Sequence, residues 1–238
     1  MATPDQSTVR NLLFRAMSPD DFALLAPHLV RTHTSKGMML FDRHAPLETA
    51  WFPENSLGSL VTVSREGLRV ESGIFGRDGF APVGLAMGSS QMAYEGIIQV
   101  PDDAFQLPAE VLLEAIGRSR TLHGLLLRYV QALSVQTSYT ALSNAVHPIE
   151  ERLARWLLMC HDRLDGDELP LTHEFMSIML AVRRPSVTTS LHVLEGNGFI
   201  RAERGLVVVR NRTGLEEFAA DGYGPPEREY ERLVGKLR

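Results

Sequence analysis

The stretch from Leu171 to Val209 constrains the fold most, because it predicts two short helices, a tight turn and a two-stranded hairpin. Thr172 can cap the first helix, in which apolar residues recur with helical spacing over His173 to Leu180. Pro185 suits the first position of the second helix, and Arg184, which precedes a proline, suits its N-cap. The alternating and β-branched residues after Gly198 predict a hairpin that turns at Arg204-Gly205. This order is typical of a helix-turn-helix followed by a small β-hairpin.

The exposed face of the second helix indicates what it contacts. It carries two arginines and several hydroxyl side chains, with no acidic residue before Glu195. Short hydroxyl side chains let a helix approach a DNA groove and bond phosphate or base edges, and arginine can bind guanine through two hydrogen bonds. A helix-turn-helix places such residues in the major groove. The face consists of Arg183, Arg184, Ser186, Thr188, Thr189, Ser190 and His192.

We therefore predict DNA binding; the alternative is a surface helix that is hydroxyl-rich by chance. A cluster of hairpin arginines could hold the adjacent DNA backbone. It comprises Arg201, Arg204, Arg210 and Arg212.

The region from about His28 to Leu107 alternates short β-prone runs with turn residues, a pattern that predicts an antiparallel barrel or jelly roll. A glycine-rich crossing at 76–88 could hold one helical turn. The predicted strands are Leu29–His33, Met38–Phe41, Thr49–Phe52, Leu57–Val63, Leu68–Phe75, Met92–Val100 and Ala104–Leu107.

A long helix is predicted from Ser119 to about Val146, a run without proline. One of its stripes has the four-three spacing of a coiled-coil seam, so we predict that the helix pairs with the same helix of a second chain. The alternative is a helix wholly buried within one chain. The predicted dimerisation residues are Leu122, Leu126, Tyr129, Leu133, Gln136 and Thr140.

Charge and cysteine content limit the possible classes of protein. The net charge of −5 does not favour nucleic acid, but a DNA-binding face is local and an acidic remainder can mask it in the sum. The single cysteine, Cys160, excludes an internal disulfide and suits a reducing cytoplasm. No apolar run has the length of a membrane span, and the first residues lack a signal-peptide pattern. We expect a cytoplasmic protein without a membrane partner.

Three segments carry a resemblance to a known family. They are His147–Leu157, Leu171–Glu174 and Val182–Thr188. In the order of its predicted elements (β-roll, long helix, helix-turn-helix with hairpin) and in these residues, the chain resembles the CRP/FNR family of bacterial transcription regulators. The resemblance implies an α+β fold with an N-terminal antiparallel β-roll (a jelly roll), a long dimerisation helix and a C-terminal winged helix-turn-helix. It divides the chain into a cyclic-nucleotide-binding-like sensory domain at 1–117, the long helix at 118–146 and the DNA-binding domain at 147–238, with a hinge at His147-Pro148.

The resemblance also implies that Arg184 reads a base. The following family position often holds a glutamate, where this chain has Pro185, and a third reading position, often arginine, is Thr189. The operator should therefore differ from that of the cyclic-AMP receptor. The predicted DNA-binding residues are Thr172, His173, Arg183, Arg184, Ser186, Thr188, Thr189 and Arg204.

The sensory half departs from the cyclic-nucleotide receptors. Residues 80–100 contain Ser89 and Ser90 but no arginine or lysine, and a buried phosphate without a cation is penalised. One cysteine cannot hold an iron–sulfur cluster, whereas haem ligation stays open. We find no motif for a catalytic or metal site and predict no cofactor. Three alternatives for the roll stay open: it binds a non-nucleotide small-molecule effector, it binds a cyclic nucleotide in an atypical pocket, or it is only a dimerisation scaffold without an effector. Contact with RNA polymerase also stays open.

Overall fold

The computed structural model describes residues 3–238, and the strands of its N-terminal half form two antiparallel sheets. One sheet has the order β1-β7-β3 and the other the order β2-β6-β4-β5. The α+β fold with an N-terminal β-roll is therefore confirmed; Met1 and Ala2, which begin the first predicted domain, lie outside the described residues. The strands are β1 (Val30–His33), β2 (Met39–Phe41), β3 (Thr49–Pro53), β4 (Leu57–Val63), β5 (Arg69–Phe75), β6 (Glu95–Val100) and β7 (Asp103–Pro108).

Aromatic side chains fill the roll. The Phe14 ring, on α1 (Leu12–Ala16), stacks on Phe52 at 4.4 Å, and Phe52 stacks on Phe80 at 5.4 Å. Tyr129 follows at 5.7 Å from Phe80, and its ring lies so near Gly79 that a Cβ atom there would be 1.9 Å away. A second short helix, α2 (Pro19–Leu25), closes the same core, with Ser18 as its N-cap.

The long helix forms, but its predicted dimer stripe faces its own chain. After α3 (Ala109–Arg118), Ser119 caps α4 (Arg120–Val146). Leu122, Leu126, Tyr129, Leu133 and Gln136 are all at most 6% exposed and lie against the roll. Thr140 is half-buried and accepts a hydrogen bond from Arg155. The burial of the first five side chains contradicts their assignment to a dimer seam, because four-three spacing marks any buried helix face and here the chain's own roll covers it. The assignment of Thr140 stays a prediction.

The C-terminal half has its own core around α5 (Ile149–Arg163). It continues with β8 (Glu168–Leu169), α6 (His173–Met179), α7 (Arg184–Gly196), β9 (Ile200–Glu203), β10 (Leu206–Val209), α8 (Arg212–Phe218) and α9 (Pro225–Leu233). The hairpin strands β9 and β10 form a sheet with β8, in the order β8-β10-β9. The short strand β8 was not predicted, since two residues carry no periodicity.

The two halves share a buried junction. Leu57, Val61 and Ile74 of the roll belong to the same apolar cluster as Trp156 of α5. Arg163 of α5 donates to Asp78 at 2.9 and 2.7 Å, and both side chains are at most 4% exposed. The helix-turn-helix is thus docked on the roll.

The C-terminal helix returns to the roll side of the molecule. Helix α9 packs against α4, and the Tyr230 hydroxyl donates to the Asp78 carbonyl at 2.7 Å. The predicted domain boundaries at residues 117 and 146 stay a prediction. Within residues 3–238, no helix combines the length and apolar character needed to cross a membrane.

Candidate nucleic-acid interface

Helices α6 and α7 are held by their buried faces. Met176 and Met179 of α6 and Val187, Leu191 and Leu194 of α7 lie in the core around α5. The Thr172 hydroxyl caps α6 by accepting a hydrogen bond from the Phe175 amide at 3.4 Å, as the sequence predicts. The opposite face of α7 is left open to solvent.

Helix α7 begins one residue earlier than predicted. Arg183 has the extended conformation of an N-cap, Arg184 is the first helical residue, and Pro185 is the second. A proline at either of these positions costs no hydrogen bond, since the first helical amides have no partner within the helix. Both arginines lie at the start of the helix, and Arg184 is exposed.

The hydroxyl side chains of α7 divide between two faces. Ser190 is 1% exposed and donates to the Glu150 carboxylate of α5 at 3.0 Å. The prediction that Ser190 lies on the open face is therefore wrong, because this side chain bonds to α5. The hydroxyl groups of Thr188 and Thr189 donate instead to backbone carbonyls one turn earlier in α7.

An open groove of about 700 Å³ lies between α6, α7 and the β9–β10 turn. It brings together five of the predicted DNA-binding residues, which are Thr172, His173, Arg184, Thr188 and Arg204. The other three lie outside its lining: Arg183 is the N-cap of α7, and Ser186 and Thr189 lie on its first two turns. We call this surface, with its five predicted residues, the recognition groove.

His192 also lines the recognition groove. The sequence places it on the exposed face of this helix, but it was left out of the predicted DNA-binding residues. Its spacing of four residues from Thr188, which puts both side chains on one helix face, is the signal that supports its inclusion. Thr188 in turn lies 3.2 Å from the His173 ring nitrogen Nδ1, so one hydrogen bond links the start of α6 to α7.

Carboxylates in the recognition groove are occupied by neighbouring protein groups. Glu174 pairs with Arg184 at 2.8 Å, and Glu195 accepts a hydrogen bond from the Ala202 amide at 3.0 Å. Glu203 pairs with Arg201. The Arg184–Glu174 pair is more than 60% exposed on both sides, and such surface pairs contribute little stability, so Arg184 is free to exchange partners.

The arginine cluster of the hairpin is smaller than predicted. Arg204 and Arg210 are exposed, but Arg212 is tied to the protein interior. It donates to Asp162 at 2.7 Å and to Glu216 at 2.6 Å. Burial alone would lower the pKa of Arg212, but Asp162 raises it overall, so the guanidinium stays charged as a structural partner of α5.

The histidine and cysteine residues of the described chain do not form a second chemical site. Cys160 is fully buried, and burial raises the pKa of its thiol, which makes it an unreactive core residue. The neighbouring His161 lies 2.9 Å from both Asp167 and Arg212. Within residues 3–238, one group has ligand atoms close enough for a metal, His33 with Asp102 and Asp103, and Asp103 already pairs with Arg31 at 2.9 Å.

The glycine-rich crossing is packed by side chains. It forms a 3₁₀ turn at Val83–Met87, and a Cβ atom at Gly84 would lie 2.4 Å from the Met92 sulfur. On β6, a Cβ atom at Gly96 would lie 2.1 Å from the Phe41 ring. The segment that could face a ligand inside the roll is thus in contact with apolar side chains.

Comparison with known proteins agrees with this geometry. Residues 151–218 match the family described as Crp-like helix-turn-helix domain. FixK2 from Bradyrhizobium japonicum has the same fold, with a TM-score of 0.68 and 15% identity over 81% of this chain and 98% of that chain. A CRP-family transcriptional regulator from Thermus thermophilus gives a TM-score of 0.64 and 18% identity over 80% and 97% of the two chains.

A third similar structure is a c-di-GMP responsive global regulator, CLP, of Xanthomonas campestris. It gives a TM-score of 0.57 and 17% identity over 81% of this chain and 99% of that chain. At these identities the solved structures show a shared fold. No curated protein matches the sequence.

Proposed function

We propose that this chain is a transcription regulator of the CRP/FNR type that binds DNA as a homodimer and reads a two-fold symmetric site. The observation that carries the proposal is the recognition groove, in which five residues selected from sequence alone meet beside the start of α7. The Crp-like domain match covers the same elements.

In this proposal, the first two turns of α7 enter the major groove. Arg184 reads a base, and Arg183, Ser186, Thr188 and Thr189 divide the remaining base and phosphate contacts. Thr172, His173 and Arg204 contact the backbone from α6 and from the hairpin turn. Arg184 can leave Glu174 and bind a guanine edge at a small cost in free energy, because the Arg184–Glu174 ion pair is exposed.

A different face of α4 supplies the dimer seam. Residues on the side away from the roll repeat alternately at four and three positions, which is the spacing of a coiled-coil seam. Most are small, so two helices can approach closely. Leu142 and Val146, which are 41% and 62% exposed, flank the seam. The seam residues are Leu127, Gln131, Ser134, Ser138, Ala141 and Ala145.

Two-fold pairing along α4 sets the geometry of the DNA site. Each chain then contributes one α7 helix, and two such helices enter successive major grooves roughly 34 Å apart. Dimerisation thus supports a near-palindromic operator.

The interior of the roll is not suited to cyclic AMP. A cyclic phosphate needs a cation, and residues 80–100 supply none. Phe41, Met92 and Tyr129 occupy the space beside the glycines of the roll. We therefore place any small-molecule control outside the interior of the roll.

Selection of binding sites from random duplex DNA tests the proposal. The purified full chain, without additive, should enrich two inverted half-sites whose centres lie about 10 bp apart. A parallel selection without protein is the control. Enrichment of no motif, both without additive and with added cell extract, would contradict the proposed function.

A further inference from the structure

A second open groove lies where the two halves of the chain meet. It has a volume of about 710 Å³ and is lined by four separate segments. The roll side provides residues 7–16 and Arg77, which follows β5. The other half provides 162–166, at the end of α5, and the C-terminal segment, which packs on the roll side, provides Tyr230 and residues 234–238. We call this surface the junction groove.

Positive charge dominates the lining of the junction groove. Its described lining includes five cationic side chains and two carboxylates. One carboxylate, Asp162, is 2% exposed in its side chain and accepts hydrogen bonds from Arg212 and Tyr223, so it is already neutralised. Within the lining, Asp165 is left to balance the cations, and Asp167, outside the lining, lies 4.0 Å from Arg238. The cations are Arg10, Arg15, Arg77, Lys236 and Arg238.

Asp165 is shared between two arginines. Arg77 Nη1 donates to it at 2.8 Å, and Arg10 pairs with its other oxygen. The Arg77 side chain is 14% exposed and donates through Nε to the Arg163 carbonyl at 2.8 Å, while Nη2 is buried without a hydrogen-bond partner among the described residues. One carboxylate thus faces two guanidinium groups, and the pair of arginines keeps an excess of positive charge.

The outer cations of the junction groove are unoccupied by protein groups. Arg15, at the end of α1, and Lys236, near the C-terminus, have no side-chain hydrogen bond or ion pair to the described residues. Both side chains are exposed and line the same groove as Arg10 and Arg77, so each can reach an anion bound there.

We propose that the junction groove binds a small molecule that carries phosphate. Guanidinium groups bind phosphate oxygens through paired hydrogen bonds, and a lysine adds a point charge. The volume lies within the range of about 300–1,000 Å³ that is usual for small-molecule sites. Because Arg10 and Arg77 pair with Asp165 and Arg238 donates to the His161 carbonyl, the cations of the groove also contact the end of α5. A bound anion therefore acts on contacts that join the helix-turn-helix half to the roll and changes the population of the docked arrangement.

Titration calorimetry with inorganic pyrophosphate, in the absence of DNA and at physiological ionic strength, tests this site independently of the proposed DNA binding. The test variant is Arg15→Gln with Lys236→Gln. The matched control, Arg65→Gln with Arg120→Gln, removes the same charge from positions outside the groove. Binding to the wild type and to the control, weakened at least about tenfold in the test variant, is the expected result.

Three outcomes overturn the proposal. The first is no measurable heat at millimolar pyrophosphate with the wild type, and the second is equal weakening in both double variants, which means attraction by net charge alone. The third comes from adding an unrelated DNA duplex. If the duplex displaces pyrophosphate from the wild type and the test variant loses duplex affinity in parallel, the junction groove serves the DNA backbone.

Discussion

At the scale of single residues, Glu71 is a buried carboxyl group that accepts hydrogen bonds from three different elements. It is 4% exposed and accepts hydrogen bonds from Ser59 at 2.5 Å, from Gln99 at 2.8 Å and from Trp156 at 2.8 Å. Burial raises its pKa to about 8, even though the Ser59 and Trp156 bonds lower it. Trp156 lies on α5, so this carboxyl group joins strand β5 to the helix-turn-helix half.

The raised pKa of Glu71 predicts a dependence of stability on pH. Between the unfolded pKa near 4.5 and the folded pKa of about 8, the folded state holds the proton that the unfolded state has lost. The free energy of unfolding should therefore fall as pH rises from about 5 to about 8, by up to roughly 1.4 kcal/mol per pH unit from this group. Urea unfolding of wild type and Glu71→Gln at several pH values measures the effect, and the variant should show a flatter profile.

A matched variant makes the Glu71 result specific. Glu66 is exposed in the β4–β5 turn, and Glu66→Gln should leave the slope of the wild type unchanged. Equal slopes for wild type and Glu71→Gln would mean that Glu71 is ionised in the folded protein throughout this range.

Sequence reasoning succeeded at residues whose role depends on near neighbours and failed where the partner is distant. The Thr172 cap contacts a backbone amide three residues away, and it was predicted correctly. Ser190 and Arg212 were assigned to open surfaces, but their partners, Glu150 and Asp162, lie 40 and 50 residues away. No local pattern reveals such contacts.

At the scale of elements, α4 shows what periodicity can and cannot predict. Its extent was predicted from Ser119 to Val146, and the structure has Arg120–Val146 with Ser119 as N-cap. The helix carries two stripes with four-three spacing. The stripe of larger apolar residues is covered by the roll, and the stripe of mostly small residues faces away from it.

The outer stripe predicts the effect of a charge in the dimer seam. Leu127 is 40% exposed in the single chain, so Leu127→Glu should leave the unfolding temperature of the protomer nearly unchanged. Two like charges facing each other across the seam should raise the dissociation constant of the dimer by at least about tenfold. Sedimentation equilibrium measures it.

Leu68→Glu serves as the control for this variant, since Leu68 is 69% exposed in the β4–β5 turn. Wild-type association is expected for Leu68→Glu. If Leu127→Glu also associates like the wild type, the seam assigned to α4 is incorrect.

At the scale of the whole molecule, the packing of the helix-turn-helix half against the roll could not be predicted from the sequence. The roll and the helix-turn-helix were each predicted as separate units, from strand alternation and from helix signals. Their junction depends on Arg163 and Asp78, which are 85 residues apart, and on α9, which returns to α4. Contacts between residues this far apart depend on tertiary packing, and they produce no periodic pattern in the sequence.

The junction gives the molecule a physical route between a ligand and DNA. The buried Arg163–Asp78 pair and the Glu71 network join the helix-turn-helix half to the roll. The junction groove opens beside the ion pair, since Arg77, Asp162 and Leu164 in its lining adjoin Asp78 and Arg163 in the sequence. Removal of one partner would leave an uncompensated buried charge, which typically costs about 3–5 kcal/mol, so Arg163 and Asp78 must stay paired in this arrangement. A ligand that binds both halves acts directly on it.

Base preference of the Arg184→Ala variant tests the central claim, that α7 reads DNA, most directly. The measurement is the affinity of wild type and variant for the selected site and for duplexes in which each base pair of a half-site is replaced in turn. We predict a loss of about 1–3 kcal/mol on the selected site and loss of discrimination at one position in each half-site. Arg65→Ala should keep the wild-type preferences. Unchanged affinity and unchanged preference at every position for Arg184→Ala would contradict the account.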